Sequence, residues 1–207
     1  MAKHAQAERH ALADLMLQVG PDAPTLCEGW KTADLAAHLV TRERRPDAGI
    51  GLVLPAASSY TERVQRGIRD GREWPDLVEM VRSGPPAPLR PLDESINTVE
   101  YFIHHEDVRR AQSGWEPRVL GAELDQALWS RLRRMSRLLL LRAPGGLVLD
   151  APGFGQVRKN GQANGVTVTG PPSELLLFAS GRKDAARVEL AGDDVSVERI
   201  RQAKLGL

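Results

Sequence analysis

Residues 99–111 read Val-Glu-Tyr-Phe-Ile-His-His-Glu-Asp-Val-Arg-Arg-Ala, inside a longer run where Leu92, Ile96, Val99, Ile103 and Val108 lie near one helical face. That period predicts one helix from about Leu92 to Ser113, stopped by Gly114. Residues four apart on a helix project from the same side, so Glu100 and His104 can reach one cation, while His105 is turned away by about 100°. Two donors on one helix need a third from elsewhere. Between Thr32, a predicted N-cap with Asp34 in the first turn, and Pro46, the residues Leu35, His38, Leu39 and Arg42 form a single stripe. His38 is thereby directed toward a helical core, where such a site would be built.

Two imidazoles and a carboxylate suit Zn²⁺, Ni²⁺ or Fe²⁺ better than Mg²⁺ or Ca²⁺, and three protein ligands leave a position open for water or substrate. The plainer alternative is a helix ion pair of about 0.3–0.5 kcal/mol between Glu100 and His104, with His38 a satisfied core histidine. His105-Glu106 begins the zincin helix pattern, but Arg109 stands where the second histidine is needed, which disfavours a protease of that type.

Working outward, Leu12, Leu15, Met16 and Val19 predict a helix over Ala5–Val19, ended by Gly20-Pro21. Tyr60–Arg69 and Pro75–Arg82 read as short helices, and Asp47–Pro55 as a lid, short helix or wide loop. A long helix over Ala122–Arg142 carries Leu124, Leu128, Leu132, Met135 and Leu139 inward and its arginines outward. Beyond Ala143-Pro144-Gly145-Gly146 the period turns to alternation. Leu147–Asp150, Gln156–Asn160 and Val166–Thr169 read as strands, with Asn160-Gly161 as a tight hairpin turn. A helix from Glu174 to Ser180, a strand at Arg187–Leu190 and a terminal helix from about Val195 follow. The expected class is therefore α+β: residues 1–143 a metal-binding helical bundle, residues 144–207 a small α+β domain.

With 28 basic and 27 acidic side chains interspersed for a net charge of +1, no broad positive field is available for nucleic acid. The arginines of 131–142 lack interleaved aromatics and read as a solvated face, and Gly153-Phe-Gly155 has no lysine or following helix to cradle phosphate. The longest apolar run, near Leu138–Leu141, falls far short of the ~20 residues that span a bilayer. Cys27, the single cysteine, forms no internal disulfide, and the first ten residues lack the signal-peptide pattern, so a reducing cytoplasm is expected.

Thr25-Leu-Cys-Glu-Gly-Trp30, Asp34-Leu-Ala-Ala-His38, Val99-Glu-Tyr-Phe-Ile-His104 and Asp107-Val-Arg-Arg-Ala111, in this order, resemble the DinB-like metalloenzyme superfamily. Within it the chain is most similar to the mycothiol-dependent maleylpyruvate isomerase branch. Val168-Thr-Gly-Pro-Pro-Ser-Glu-Leu175 and Ala179-Ser-Gly-Arg182 extend the likeness into that branch's second domain. The resemblance implies a DinB-like four-helix bundle joined to a small sterol-carrier-like α+β domain. It also implies a divalent metal, usually zinc with nickel as the alternative, held by His38, Glu100 and His104.

Two further residues bear on chemistry. Asp107, one turn beyond His104, can accept the imidazole proton and fix the tautomer, or can pair with Arg109 or Arg110. Arg182 can hold a substrate carboxylate, or can serve as a cation at a helix C-terminus. Cys27 reads as a small buried residue supporting the Trp30 turn, and His4 and His10 as surface residues.

These readings converge on a metal-dependent isomerase or thiol transferase in which a metal-activated thiolate, mycothiol in the resembled branch, attacks a small electrophile; a homodimer is possible. The alternatives are a hydrolase using metal-bound water and a non-catalytic binding protein with a structural metal. A structural zinc site usually has a fourth protein ligand, and no obvious one follows the three named.

Overall fold

Burial of Leu12, Ala13 and Met16 on one side of the first helix sets the first layer of the molecule. The computed structural model describes residues 4–49, 58–159 and 165–206. In chain order the elements are α1 (His4–Val19), α2 (Thr32–Arg44), α3 (Pro46–Gly49), α4 (Ser58–Asp70), α5 (Trp74–Ser83), a 3-10 turn (Ala87–Leu92) and α6 (Asp93–Arg109). Then come α7 (Ala122–Leu139), β1 (Leu147–Ala151), β2 (Gly155–Lys159), β3 (Thr167–Thr169), α8 (Pro172–Ala179), β4 (Glu189–Ala191) and α9 (Asp194–Gln202). The class is α+β, as the change of period predicts. Among the described residues no helix is long and apolar enough to cross a membrane.

The chain forms two compact units, Met1–Glu116 and Pro117–Leu207. This division differs from the boundary at residue 143 drawn from the sequence, because α7 packs on α8 and β2. In the first unit α1 lies along α6, and α2 packs on α4 and α5. Leu12, Met16, Leu35, Leu39, Leu77, Val81, Tyr101 and Val108 fill the space between them. Each fully buried large aliphatic side chain of this kind contributes about 1.5–3 kcal/mol.

Helix α2 begins differently from the expectation. Lys31 is the N-cap, and its backbone N–H donates to the Asp34 carboxylate at 3.0 Å. Thr32 lies inside the first turn, fully buried, and donates its hydroxyl to the Gly20 carbonyl at the end of α1. Asp34 reaches back to cap, so the threonine is released to tie two helices together. The stretch Asp47–Pro55 enters α3, while residues 50–57 lie outside the described ones.

Helix α6 stops at Arg109, short of the Ser113 expected from the sequence, and is buried on most sides from Asn97 to Val108. The first apolar residues of the predicted run are not: Leu92, in the preceding 3-10 turn, and Ile96 are half-exposed. The buried ring includes polar groups, several of which are answered by other helices. Arg9 of α1 donates to both Glu43 oxygens at 2.8 and 2.9 Å, to Asp93 at 2.6 Å and to the Tyr101 hydroxyl at 2.5 Å. Asn97 donates to Glu43 at 3.0 Å and to Asp93 at 2.6 Å. His105 pairs through Nδ1 with Glu8 at 2.8 Å, away from Glu100 and His104, as the 100° rotation requires.

In the second unit the strands order β2-β1-β3-β4. β1 pairs antiparallel with β2 and parallel with β3, and β3 pairs antiparallel with β4. The alternation at Leu147, Leu149 and Ala151 gives a buried and a half-exposed face. The expected turn at Asn160-Gly161 lies outside the described residues; among those described, the tight turn Pro152–Phe154 joins β1 to β2, and β3 pairs with β1. Helix α7 buries Leu128, Trp129, Leu132 and Leu139 and exposes Arg133, Arg134 and Arg137. It ends before the predicted Arg142, where the Lys159 ammonium donates to the carbonyls of Leu140, Leu141 and Ala143.

Candidate metal centre

The stripe of α2 and the i, i+4 pair of α6 meet. His38 Nε2 lies 3.5 Å and His104 Nε2 3.3 Å from the same carboxylate oxygen, Oε1 of Glu100. The imidazoles stand edge to face with centroids 5.4 Å apart, and one ligand atom from each of the three residues lies within 4.8 Å of the others. Donors bound at 2.0–2.1 Å to a common tetrahedral centre stand about 3.3 Å apart, so the spacing and the donor types both fit a zinc-like ion. The side chains of His38, Glu100 and His104 are 12%, 26% and 11% exposed, so the cluster is largely but not wholly buried.

Asp107 takes up the position that its spacing on the helix allows. Fully buried, its Oδ2 lies 2.9 Å from His104 Nδ1, which directs the other ring nitrogen at Glu100. His38 Nδ1 is 3.2 Å from the Gln65 amide on α4, so its Nε2 likewise faces Glu100. Arg109 and Arg110 pair with Glu106 on the same stretch of chain.

Four residues were not assigned to this site from the sequence. Arg42, one turn past His38, approaches the shared Glu100 oxygen at 3.3 Å and donates to Asn97. The i, i+4 spacing from His38 was the signal for it. Gln65 and Trp30 have no such signal, since both reach His38 through tertiary packing; the Trp30 ring lies 5.1 Å from the His38 ring. The fourth, Cys27, supports the Trp30 turn as read, its carbonyl accepting from Trp30 N at 2.9 Å. It also places Sγ 3.2 Å from Asp107 and 3.9 Å from His104 Nδ1, so that Cys27, His104 and Asp107 form a second close cluster. Beside His38, a cleft of about 310 Å³ is lined by Trp30, Asp34, Ala37, Gln65, Arg66 and Arg69. Arg182 belongs to the other compact unit and donates to the Ser180 carbonyl at 2.7 Å, as a cation at the C-terminus of α8 does.

The charges are strongly biased. Burial opposes charge on the Glu100 carboxyl, but hydrogen bonds from His104 and His38 and the neighbouring positive charges outweigh it and hold the pKa well below 4.5. Burial likewise opposes charge on His104, yet the hydrogen bonds to Asp107, Cys27 and Glu100 win and hold its pKa well above 6.5. His38 goes the other way, because its burial outweighs the Glu100 contact and lowers its pKa below 6.5. The two imidazoles that flank the carboxylate are thus biased in opposite directions, His38 toward the neutral form and His104 toward the charged one.

A pH dependence follows. A histidine with a raised folded pKa adds stability that is complete below about pH 6.5 and is lost as pH climbs through the raised value. The depressed Glu100 adds stability that is present above about pH 4.5 and lost as pH falls through its lowered value. With chelator present, the denaturation midpoint should fall as pH rises above neutrality, and Asp107→Asn should flatten that limb. A midpoint independent of alkaline pH would contradict the His104–Asp107 contact.

No family model and no curated protein matches the chain. Among solved structures, the crystal structure of the mycothiol-dependent maleylpyruvate isomerase matches over 91% of this chain and 91% of that one, with a TM-score of 0.61 at 16% identity. The fold is that of this isomerase. A histidine-to-alanine mutant of the isomerase superposes over the same shares, with a TM-score of 0.59 at 17% identity. The likeness inferred from the order of the four N-terminal motifs and the two C-terminal ones thus holds for the isomerase fold along nearly the whole chain.

Proposed function

We propose that the chain is a divalent-metal protein that uses a small thiol to isomerise or transfer to an electrophilic substrate, with His38, Glu100 and His104 as the ligands. The observation that carries the reading is the convergence of two Nε2 atoms on one Glu100 oxygen at 3.3 and 3.5 Å, each ring oriented by a partner at its other nitrogen. Partners at the far nitrogen are the usual way in which ligating histidines are held. A divalent cation in that set would act as a Lewis acid and lower the pKa of a thiol or water offered to its open position.

The chain's own groups have separable tasks in this reading. Asp107 keeps a proton on His104 Nδ1, which frees Nε2 as a donor. The Gln65 amide, turned to present its oxygen, does the same for His38. Arg42 balances the Glu100 charge before the cation arrives and can shift to an incoming anion afterwards. The cleft by Trp30 and Gln65 offers room and hydrogen-bonding groups for the body of the thiol or the substrate. The isomerase fold supports a thiol of the mycothiol class, and zinc fits the donor set, with nickel as the alternative.

The test is thiol dependence. Zinc-loaded protein mixed with maleylpyruvate should convert it only when mycothiol is present, and chelator should abolish the conversion. Turnover of ester or amide substrates without any thiol would instead support hydrolysis by metal-bound water. Metal uptake without either activity would support the non-catalytic reading.

A further inference from the structure

The turn that joins α1 to α2 presses on the site from behind. The Leu26 backbone N–H donates to the Asp107 carbonyl at 3.0 Å, which pins the turn to α6. Thr25 Oγ1 accepts from Cys27 N at 3.1 Å and donates to the Trp30 carbonyl at 2.9 Å, closing the turn on itself. Held in this way, the Cys27 thiol donates to Asp107 Oδ2 at 3.2 Å. The same oxygen receives His104 Nδ1 at 2.9 Å.

Two donors on one carboxylate oxygen restrict it more than either does alone. A donor fixed to the backbone of another element adds a restraint, against rotation about the Asp107 Cβ–Cγ bond, on the same oxygen that meets His104 Nδ1. We propose that Cys27 is a positioning residue: by donating to Asp107 Oδ2 it holds the carboxylate against His104 Nδ1, and so fixes the direction in which His104 presents Nε2. A thiol is a weak donor, so the effect is steering rather than strong binding. Trp30, at the other end of the turn, abuts the His38 ring, so one turn of chain touches both histidine positions.

This inference rests on the metal reading of His38, Glu100 and His104, and its test separates the two. Affinity for Co²⁺ and its visible ligand-field spectrum are measured for the intact protein and for Cys27→Ala, Cys27→Ser, Asp107→Asn and Cys27→Ala with Asp107→Asn. Cys27→Ala should weaken Co²⁺ about tenfold, the low end for an outer partner, and shift the spectrum. Cys27→Ser, which retains a donor, should stay within about threefold of the intact protein. Because Cys27 acts through Asp107, its removal should change nothing further once Asp107→Asn is present. An unchanged Cys27→Ala, or an equal loss in the Asp107→Asn background, overturns the proposal. A thiolate-to-cobalt charge-transfer band that vanishes in Cys27→Ala overturns it too, by making the sulfur a ligand. If the intact protein takes up no Co²⁺, the metal reading falls, and the clasp is read from the His104 Nδ1–H resonance. Slow solvent exchange that becomes fast in Cys27→Ala then supports the proposal, and unchanged exchange overturns it.

Discussion

Replacing His104 with alanine is expected to weaken Zn²⁺ binding by more than about 100-fold, beyond the range that loss of an outer partner usually costs. The size of the effect follows from the geometry. In the proposed site His104 would contribute one of three donors and also the contact that aligns Glu100, whose carboxylate lies 3.3 Å from it. Without the ring, the two remaining donors belong to different helices, and Asp107 loses the partner to which it donates orientation. His38→Ala and Glu100→Ala should behave alike, since neither leaves a three-point set. His105→Ala is the decisive control, because His105 pairs with Glu8 on α1 and faces away from Glu100. Elemental analysis of tag-free protein purified without chelator would read the result. Near-stoichiometric metal retained in His104→Ala and lost in His105→Ala would mean that the helix register, and the site with it, is wrongly placed.

The site was legible because its three proposed ligands obey helix geometry. Glu100 and His104 are four apart, and His38 shares a stripe with Leu35 and Leu39, both of which are buried. What lies around them was less so. Cys27, Trp30 and Gln65 reach the histidines from a loop and from α4, and such contacts depend on how helices meet rather than on any local period. The same limit appears in the sheet. Alternation at Leu147–Ala151 marks a strand and its buried face but not its neighbours, so the parallel pairing of β1 with β3 had no local signal. For α7 the apolar stripe was plain, yet a stripe says that a helix face is covered and not by what.

Arg9 is the residue whose loss should cost the fold most. Sequence reading passes over it, since an arginine on α1 between Leu12 and the N-terminus looks like a solvated charge. It is 2% exposed, with its guanidinium 4.0 Å from the Tyr101 ring centroid and bonded to Glu43 and Asp93. Burial opposes its charge, but Tyr101, Glu43 and Asp93 together raise its pKa above the ordinary arginine value, so it stays charged at every working pH. Removing one member of a buried ion pair costs about 3–5 kcal/mol, because the partner is left charged without compensation. Arg9→Met should therefore destabilise the first unit by about that amount in urea denaturation followed by far-UV circular dichroism. Two carboxylates, not one, lose their cation, which places the expectation at the upper end. Combining Arg9→Met with Glu43→Gln and Asp93→Asn should recover part of the loss, because no uncompensated charge remains. If the single and triple variants are equally unstable, packing rather than charge holds the cluster. The cluster also bears on the candidate metal centre: Glu43 and Asp93 hold the Asn97 amide, and the Asn97 carbonyl in turn accepts from Arg42, the cation facing Glu100. Arg9→Met should thus loosen Arg42 as well as the helices, and raise the accessibility of Glu100 while the protein is still folded.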